Sequence, residues 1–434
     1  QALSARDYFL LQGPPGTGKT SRMLRAMVHY LYDQPEEVIV LLAFTNRAVE
    51  EICKAVQEVC GDFLVLGSGS GEKFRDNRLN TFSESHNIPE TVQRIKNARI
   101  VVSTVSSFLN NQQLVELKQF TTAIVDEASQ LLDPHLVGPL SKIDRFILIG
   151  DEKQLPAVVT QNPERTRISD PDLERLGVKD LRTSFFERLL EACKTRGWSQ
   201  AFGTLTEQGR MHEAIQEFPS RRFYGGKLQP LDEWQRQTDA LFVPSPTSRI
   251  EQLLASSRLI FIDSDSPRER GSKVHKQEAK IVCDLLETIH DVYQRLQKEW
   301  DPNRTVGVIT PYRAQIAEIR SKLSNHPKLS SIMDDIMVDT VERYQGSERD
   351  IIIVSFATNH RHQLANLQSL SADKTVDRKL NVTLTRARER LILIGCSEVL
   401  CYSPYYKALI EHVRANGRYV KLKTPEVSRV APDV

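Results

Sequence analysis

The eight residues from Gly13 to Thr20, GPPGTGKT, set three glycines ahead of a lysine and a threonine. Glycines let backbone N–H groups turn inward together, and a following helix N-terminus adds positive potential, so a loop of this kind cradles phosphate oxygens. Gly13, Pro14, Gly16, Thr17 and Gly18 would line the phosphates, and Lys19 would reach the β- and γ-phosphates. Thr20 would hold a magnesium ion through its hydroxyl. The loop sits between an apolar run, YFLLQ, and an amphipathic one, SRMLRAMVHYLY, which is the strand–loop–helix setting this chemistry needs. ATP with Mg2+ is the expected ligand pair.

A phosphate loop alone is shared by kinases, GTPases and motors. The segment AIVDEAS narrows the choice: Asp126 can organise the magnesium shell while Glu127 polarises an attacking water, which implies hydrolysis rather than transfer to a substrate hydroxyl. The competing reading of such an acid pair is a helix cap with a first-turn charge. In GDEKQLP, the amide of Gln154 can both donate to a phosphate oxygen and accept from water, so it can report whether the γ-phosphate is present. Far downstream stand Arg210, in LTEQGRMH, and Arg386, in NVTLTRARER. Guanidinium groups brought to the γ-phosphate from a second domain would stabilise transition-state charge, an effect of about 10³ to 10⁵ in rate, and would tie domain closure to ATP. The expected catalytic set is Lys19, Glu127, Gln154, Arg210 and Arg386, with Thr20 and Asp126 on the metal.

The elements that must position these residues share one habit: a short apolar run ends abruptly in a polar segment. YFLLQ, VIVLLAF, RIVVS, TAIV and FILI do so in the first half, and TVGVI, DIMV, IIIV and LILI in the second. Runs of this kind read as strands buried on both faces, with amphipathic crossover helices between them, hence an α/β fold with parallel sheets. In such sheets ligands bind beyond the carboxyl ends of the strands, where these polar segments fall. The expected organisation is a first domain over residues 1–203, a second over 204–424 whose sheet begins near Leu205, and a loose tail over 425–434. Two polar insertions, GSGSGEKFRDNRLNTFSESHN and QPLDEWQRQTDALFVPSPTSR, read as solvated loops.

Size and composition agree. A chain of 434 residues suits two cores of about 200 residues each. Lysine plus arginine number 58 against 56 acids, so bulk charge says nothing about a polyanionic partner and any such partner must be read from local sites. The six cysteines form no CxxC pair and read as idle thiols of a reducing compartment. No apolar run reaches the roughly 18 residues of a membrane span, and QALSARDYFLL does not read as a signal peptide. An intracellular setting is expected: cytoplasm in a prokaryote, nucleus or cytoplasm in a eukaryote.

Taken in order, GPPGTGKT, TNRAVEEI, VVSTVSSF, DEASQ, GDEKQLPAVV, LTEQGRMH, VGVITPYRAQ, VDTVERYQGSERDIIIVS and LNVTLTRARERLILIG resemble the motifs of a superfamily 1 helicase. They are most similar to the 1B branch that contains the nonsense-mediated-decay helicase and the Okazaki-fragment nuclease-helicase. That resemblance implies two tandem RecA-like P-loop domains with the nucleotide in the cleft between them. It also implies ATP-driven translocation and unwinding, 5′ to 3′ on a single strand. It assigns a ribose hydrogen bond to Glu348, and strand contacts to Thr45, Asn46, Ser103, Thr104, Thr310, Tyr312, Arg313 and Thr340. Hydroxyls and amides at strand ends suit sugar-phosphate contacts that ignore sequence, while Asn46 and Ser103 are equally readable as helix caps. DNA is favoured over RNA because none of these contacts must read a 2′-hydroxyl. The alternatives are an RNA helicase and an ATP-gated clamp that remodels without unwinding.

Two departures stand out. Relatives carry a tyrosine where Gly209 stands, and that ring stacks on adenine. The glutamine motif that precedes the phosphate loop in relatives is not visible. The absence of an initiator methionine is read as the loss of a natural beginning, where relatives have an accessory β-barrel domain and sometimes a nuclease.

Overall fold

The computed structural model describes residues 1–67, 72–111, 116–237, 243–264 and 273–421. The chain divides into two compact units, Gln1–Gln208 and Gly209–Val434, each built on its own parallel sheet. The expected tail lies outside the described residues.

In the first unit seven strands run β1 (Tyr8–Gln12), β2 (Ile39–Ala43), β3 (Leu64–Leu66), β4 (Ile100–Thr104), β5 (Thr122–Val125), β6 (Arg145–Gly150) and β7 (Phe202–Thr204). Their order in the sheet is β3-β4-β2-β5-β6-β1-β7, every neighbouring pair parallel. Successive side chains point to opposite faces, and both faces are apolar. Phe9, Leu11, Ile39, Leu41, Ile147 and Ile149 enter one core, while Leu10, Val40, Leu42, Val125 and Leu148 enter the other. Double burial is why these strands read as continuous apolar runs. Truncating one of these side chains, Leu148 for instance, removes about 2–5 kcal/mol.

The helix after the phosphate loop opens as a wide turn, Lys19–Leu24, before settling into Arg25–Tyr32. The N–H groups of Arg22 and Met23 both reach the Gly18 carbonyl, each at 3.0 Å.

The second unit holds six strands in the order Met337–Asp339, Val306–Ile309, Arg349–Ser355, Ala387–Gly395, Leu259–Asp263 and Arg418–Lys421, again all parallel. Ile260, Ile262, Val308, Ile351, Ile353, Ile392 and Ile394 share a core with Ala279, Val282, Leu286 and Ile289. The last four recur at helical spacing along Lys276–Arg295, the stripe expected of a crossover helix.

All nine apolar runs are strands, but the passage between the units differs from expectation. Leu205 does not begin the second sheet. The strand just before it, β7, closes the edge of the first sheet beside β1, and the second sheet starts at Leu259–Asp263. The helix Phe185–Arg196 belongs to the first unit, because Phe186, Leu190 and Cys193 lie in that unit's core. Nor are the two insertions simply solvated. In the first, residues 68–71 lie outside the described residues, Glu72–Asn77 and Leu79–Ser85 are helical, and buried Phe74 packs on Phe63 at a centroid distance of 6.2 Å. In the second, Gln235 is fully buried on a short helical turn, Glu233–Arg236, and Val243 is in the core.

Candidate functional site

The order of the first sheet decides what its carboxyl edge can do. Reading from β4 to β1, that edge carries Ser103 and Thr104, then Thr45 and Asn46 after β2, Asp126 and Glu127 after β5, Gln154 beyond β6, and the phosphate loop after β1. Parallel register aligns the strand ends. Ala43 pairs with Thr104, Leu42 with Ser103, Val125 with Leu148, and Gln12 with Gly150.

The phosphate loop has the backbone its glycines permit. Gly16 and Gly18 sit at φ 77° and 72°, in the left-handed region, and the Gly13 N–H donates to the Gly150 carbonyl at 2.9 Å. At Gly13 the constraint is space: a Cβ there would lie 2.1 Å from Lys19 Cγ and 2.4 Å from Cδ. The Thr17 hydroxyl donates to the Pro14 carbonyl at 2.8 Å, closing the turn.

Lys19 Nζ lies 3.7 Å from Glu127 Oε1, and the Thr20 hydroxyl donates to Asp126 Oδ2 at 2.5 Å. Asp126 also accepts from the Glu127 N–H at 2.9 Å. Burial, and next the charge of Glu127, push the Asp126 carboxyl up to about 6, against the pull of Thr20 and Lys19. A divalent cation fits this donor set: two hard oxygens, one on a buried carboxylate whose charge the protein alone stabilises poorly. Glu127 itself is a non-glycine residue at φ 51°. Such backbone costs about 1–3 kcal/mol and persists where the surroundings force it, often at functional sites. Gln154 is buried, its amide donating to Asp151 Oδ2 at 2.8 Å.

A network that the motifs did not disclose anchors the end of β1. The Gln12 amide donates to both carboxylate oxygens of Glu152, at 2.7 and 2.9 Å, and its carbonyl accepts from the Thr204 hydroxyl at 2.9 Å. Strand β1, strand β7 and the loop after β6 are thereby tied where the phosphate loop departs.

The expected strand contacts divide. Thr45 caps the helix Asn46–Gln57 by accepting from the Ala48 N–H and is exposed, as is Asn46. Thr104 caps Val105–Asn110 through the Ser107 N–H at 3.1 Å. Ser103 is fully buried, its hydroxyl donating to the Thr104 carbonyl at 2.9 Å, so it holds the strand end rather than presenting a free group. In the second unit, Thr310 and Thr340 follow adjacent strands whose residues Ile309 and Asp339 pair. Arg313 is exposed and Tyr312 is buried. Thr310 is fully buried, and among the described residues its hydroxyl has no hydrogen-bond partner, so like Ser103 it offers no surface group to a strand.

The second unit also gathers charge around Glu348. Arg210 Nε donates to Glu348 Oε2 at 2.5 Å and Arg388 Nη1 to Oε1 at 2.7 Å. Arg210 Nη1 donates to the Thr385 carbonyl at 3.2 Å. Burial raises the Glu348 carboxyl, but Arg210 and Arg388 outweigh it and leave its pKa below the usual range. Glu348, expected at a ribose, is thus an ion-pair hub here. Arg388 was not among the expected residues; its signal was a second arginine two positions beyond Arg386, inside the strand Ala387–Gly395 that Arg386 precedes. Arg386 is fully buried, donating to the carbonyls of Val382 at 3.0 Å and Ser347 at 3.3 Å and to the Thr385 hydroxyl at 3.1 Å. It ties together backbone next to Glu348. Arg210 lies on no sheet; it precedes the helix Glu213–Phe223.

The cysteines are five buried and one half-exposed, and burial pushes the Cys53 thiol up to about 12 and that of Cys283 to about 11. They fill cores. Among the described residues, no helix is long and apolar enough to cross a membrane.

Family models described as AAA domain match residues 181–398, half the chain, and residues 1–93 and 68–162. The chain belongs to the superfamily 1 helicases. Among its relatives, the DNA replication ATP-dependent helicase/nuclease JHS1 of Arabidopsis thaliana is 28% identical over 430 residues, covering 97% of this chain and 29% of that protein. The DNA replication ATP-dependent helicase/nuclease DNA2 of Gallus gallus is 30% identical over 427 residues, covering 97% of this chain and 38% of that protein. RNA helicase Mov10l1 of Homo sapiens is 27% identical over 443 residues, covering 96% and 34% respectively. The chain therefore spans about a third of the length of these relatives.

Proposed function

We propose that this chain is an ATP-driven motor that moves 5′ to 3′ along a single nucleic-acid strand and unwinds the duplex ahead of it. The observation that carries the reading is the carboxyl edge of the first sheet. There the phosphate loop, the Thr20–Asp126 pair, Glu127 and Gln154 sit on consecutive strand ends, with exposed Thr45 and Asn46 on the next. A γ-phosphate sensor and a strand contact on one rigid sheet edge give hydrolysis a short path to the grip on the strand.

In this reading Lys19 leaves Glu127 for the phosphates, which frees Glu127 to orient and polarise water. Thr20 and Asp126 hold Mg2+, whose chemistry is to neutralise developing phosphate charge. Arg210 adds positive charge at the γ-phosphate, and Arg386 acts with it, holding the Ser347 and Val382 backbone beside Glu348. Thr104, Arg313 and Thr340 contact the strand, Ser103 fixes the strand end that presents Thr104, and buried Thr310 and Tyr312 hold the strand end and helix start that present Arg313.

DNA is the proposed strand, because two of the relatives named above are DNA replication enzymes. The RNA helicase among the relatives keeps RNA as the second reading. Tailed duplexes of each kind test both. Release of the strand from 5′-tailed DNA, none from 3′-tailed DNA, and none by Lys19→Ala is the expected pattern. Release only from tailed RNA moves the assignment to RNA; strand-stimulated ATP hydrolysis without release on any substrate replaces the motor with an ATP-gated clamp.

A further inference from the structure

Two segments of the second unit converge on Glu348, and a third brings an aromatic ring to one of them. Arg210 and Arg388 donate to the two oxygens of its carboxylate, at 2.5 and 2.7 Å. The guanidinium carbon of Arg388 lies 5.4 Å from the ring centroid of Trp234, within the reach of a cation–π contact. Trp234 is half-buried, on the short helical turn Glu233–Arg236.

That turn is fixed to the segment carrying Arg210. Gln235, fully buried, donates its amide to the Met211 carbonyl at 2.6 Å, and its carbonyl accepts from the Asp232 N–H at 2.8 Å. Gly209 leaves room for it. A Cβ at residue 209 would lie 3.6 Å from both Leu231 Cδ2 and Asp232 Oδ2, so one methyl group is tolerated but a large ring would compete for the space the turn occupies. The smallness of Gly209 and the position of Trp234 are one arrangement.

A nucleoside triphosphate presents three chemistries: an anionic chain, a pair of sugar hydroxyls and a planar base. This cluster answers each, with two guanidinium groups, one carboxylate and one indole. We infer that Trp234 is the base platform of the nucleotide site, its indole packing against the base of the nucleotide whose phosphates draw Arg210. The inference rests on the proposed ATP hydrolysis. Every base has a π face, so stacking alone does not separate adenine from guanine.

The test compares the full chain with its Trp234→Ala and Trp234→Phe variants, using ATP and inorganic tripolyphosphate, a phosphate chain without a base. Removing a stacking partner of one base raises KM for ATP about tenfold, with a much smaller change in kcat. Trp234→Phe keeps KM near that of the parent, and the inhibition constant for tripolyphosphate is the same in all three. An unchanged KM in Trp234→Ala, or a tripolyphosphate constant that rises in step with KM, overturns the assignment, the second by showing a general loss of the site. The indole also gives a readout that needs no turnover. ATP quenches tryptophan emission in the parent but not in Trp234→Phe, and tripolyphosphate quenches neither; equal quenching in both proteins overturns the platform. A parent that shows this quenching but hydrolyses nothing would overturn the ATPase reading and leave the platform standing.

Discussion

The hydroxyl of Thr20 donates to Oδ2 of Asp126 at 2.5 Å, joining the first turn after the phosphate loop to the end of β5. This contact pairs the two oxygens proposed to hold Mg2+, so the hydroxyl matters more than the volume of residue 20. Thr20→Val is expected to raise the Mg2+ concentration for half-maximal ATP hydrolysis about tenfold or more, while Thr20→Ser stays close to the parent. Steady-state hydrolysis across a Mg2+ titration measures this, and equal Mg2+ dependence of Val and Thr would remove Thr20 from the metal.

Gly13 makes a second, steric prediction. Because a Cβ there would fall 2.1 Å from Lys19 Cγ, Gly13→Ala must push the lysine stem off its path. Turnover is expected to fall about 100-fold or more, as in Lys19→Ala, while the melting temperature drops by only a few degrees. Full activity in Gly13→Ala would mean that Lys19 reaches its target from another rotamer.

His212 sets part of the acid limit of stability. It is buried, its Nε2 donating to the Gln237 carbonyl at 3.0 Å and its Nδ1 accepting from the Ala214 N–H at 3.2 Å, and burial lowers its pKa to about 4. The unfolded chain binds a proton at this residue near pH 6.5 and the folded chain does not, so the contribution is complete above pH 6.5 and is lost as pH falls toward 4. Between pH 7.5 and pH 5 that loss is about 2 kcal/mol. Urea unfolding of the parent and of His212→Gln should show the parent losing more stability than the variant over this interval. Parallel pH profiles would mean that His212 does not titrate in this way.

What could be read from the sequence, and what could not, follows from the range of the interactions. The nine apolar runs were legible because burial on both sheet faces leaves a continuous signal, and GPPGTGKT and DEAS because their chemistry lies within a few residues. The short edge strands Leu64–Leu66, Phe202–Thr204 and Arg418–Lys421 carry too few residues for such a signal, whereas Leu259–Asp263, followed by SDSPRERGSK, shows the same apolar-then-polar habit as the nine. Ser103 and Thr104 show a different limit. Adjacent strand residues face opposite ways, so one hydroxyl is buried and the other caps a helix, and composition does not say which. The partners of Glu348 were out of reach altogether, since Arg210 lies 138 positions away from it and the tertiary fold alone brings them together.

The proposed motor requires Arg210 to serve the chemistry of a triphosphate rather than only the ion pair with Glu348. The most direct measurement is the steady-state and binding comparison of Arg210→Ala with the parent, in the presence of a single-stranded oligonucleotide. ATP affinity within a few-fold of the parent and a kcat lower by about 10³ are expected. A kcat equal to that of the parent would contradict that role.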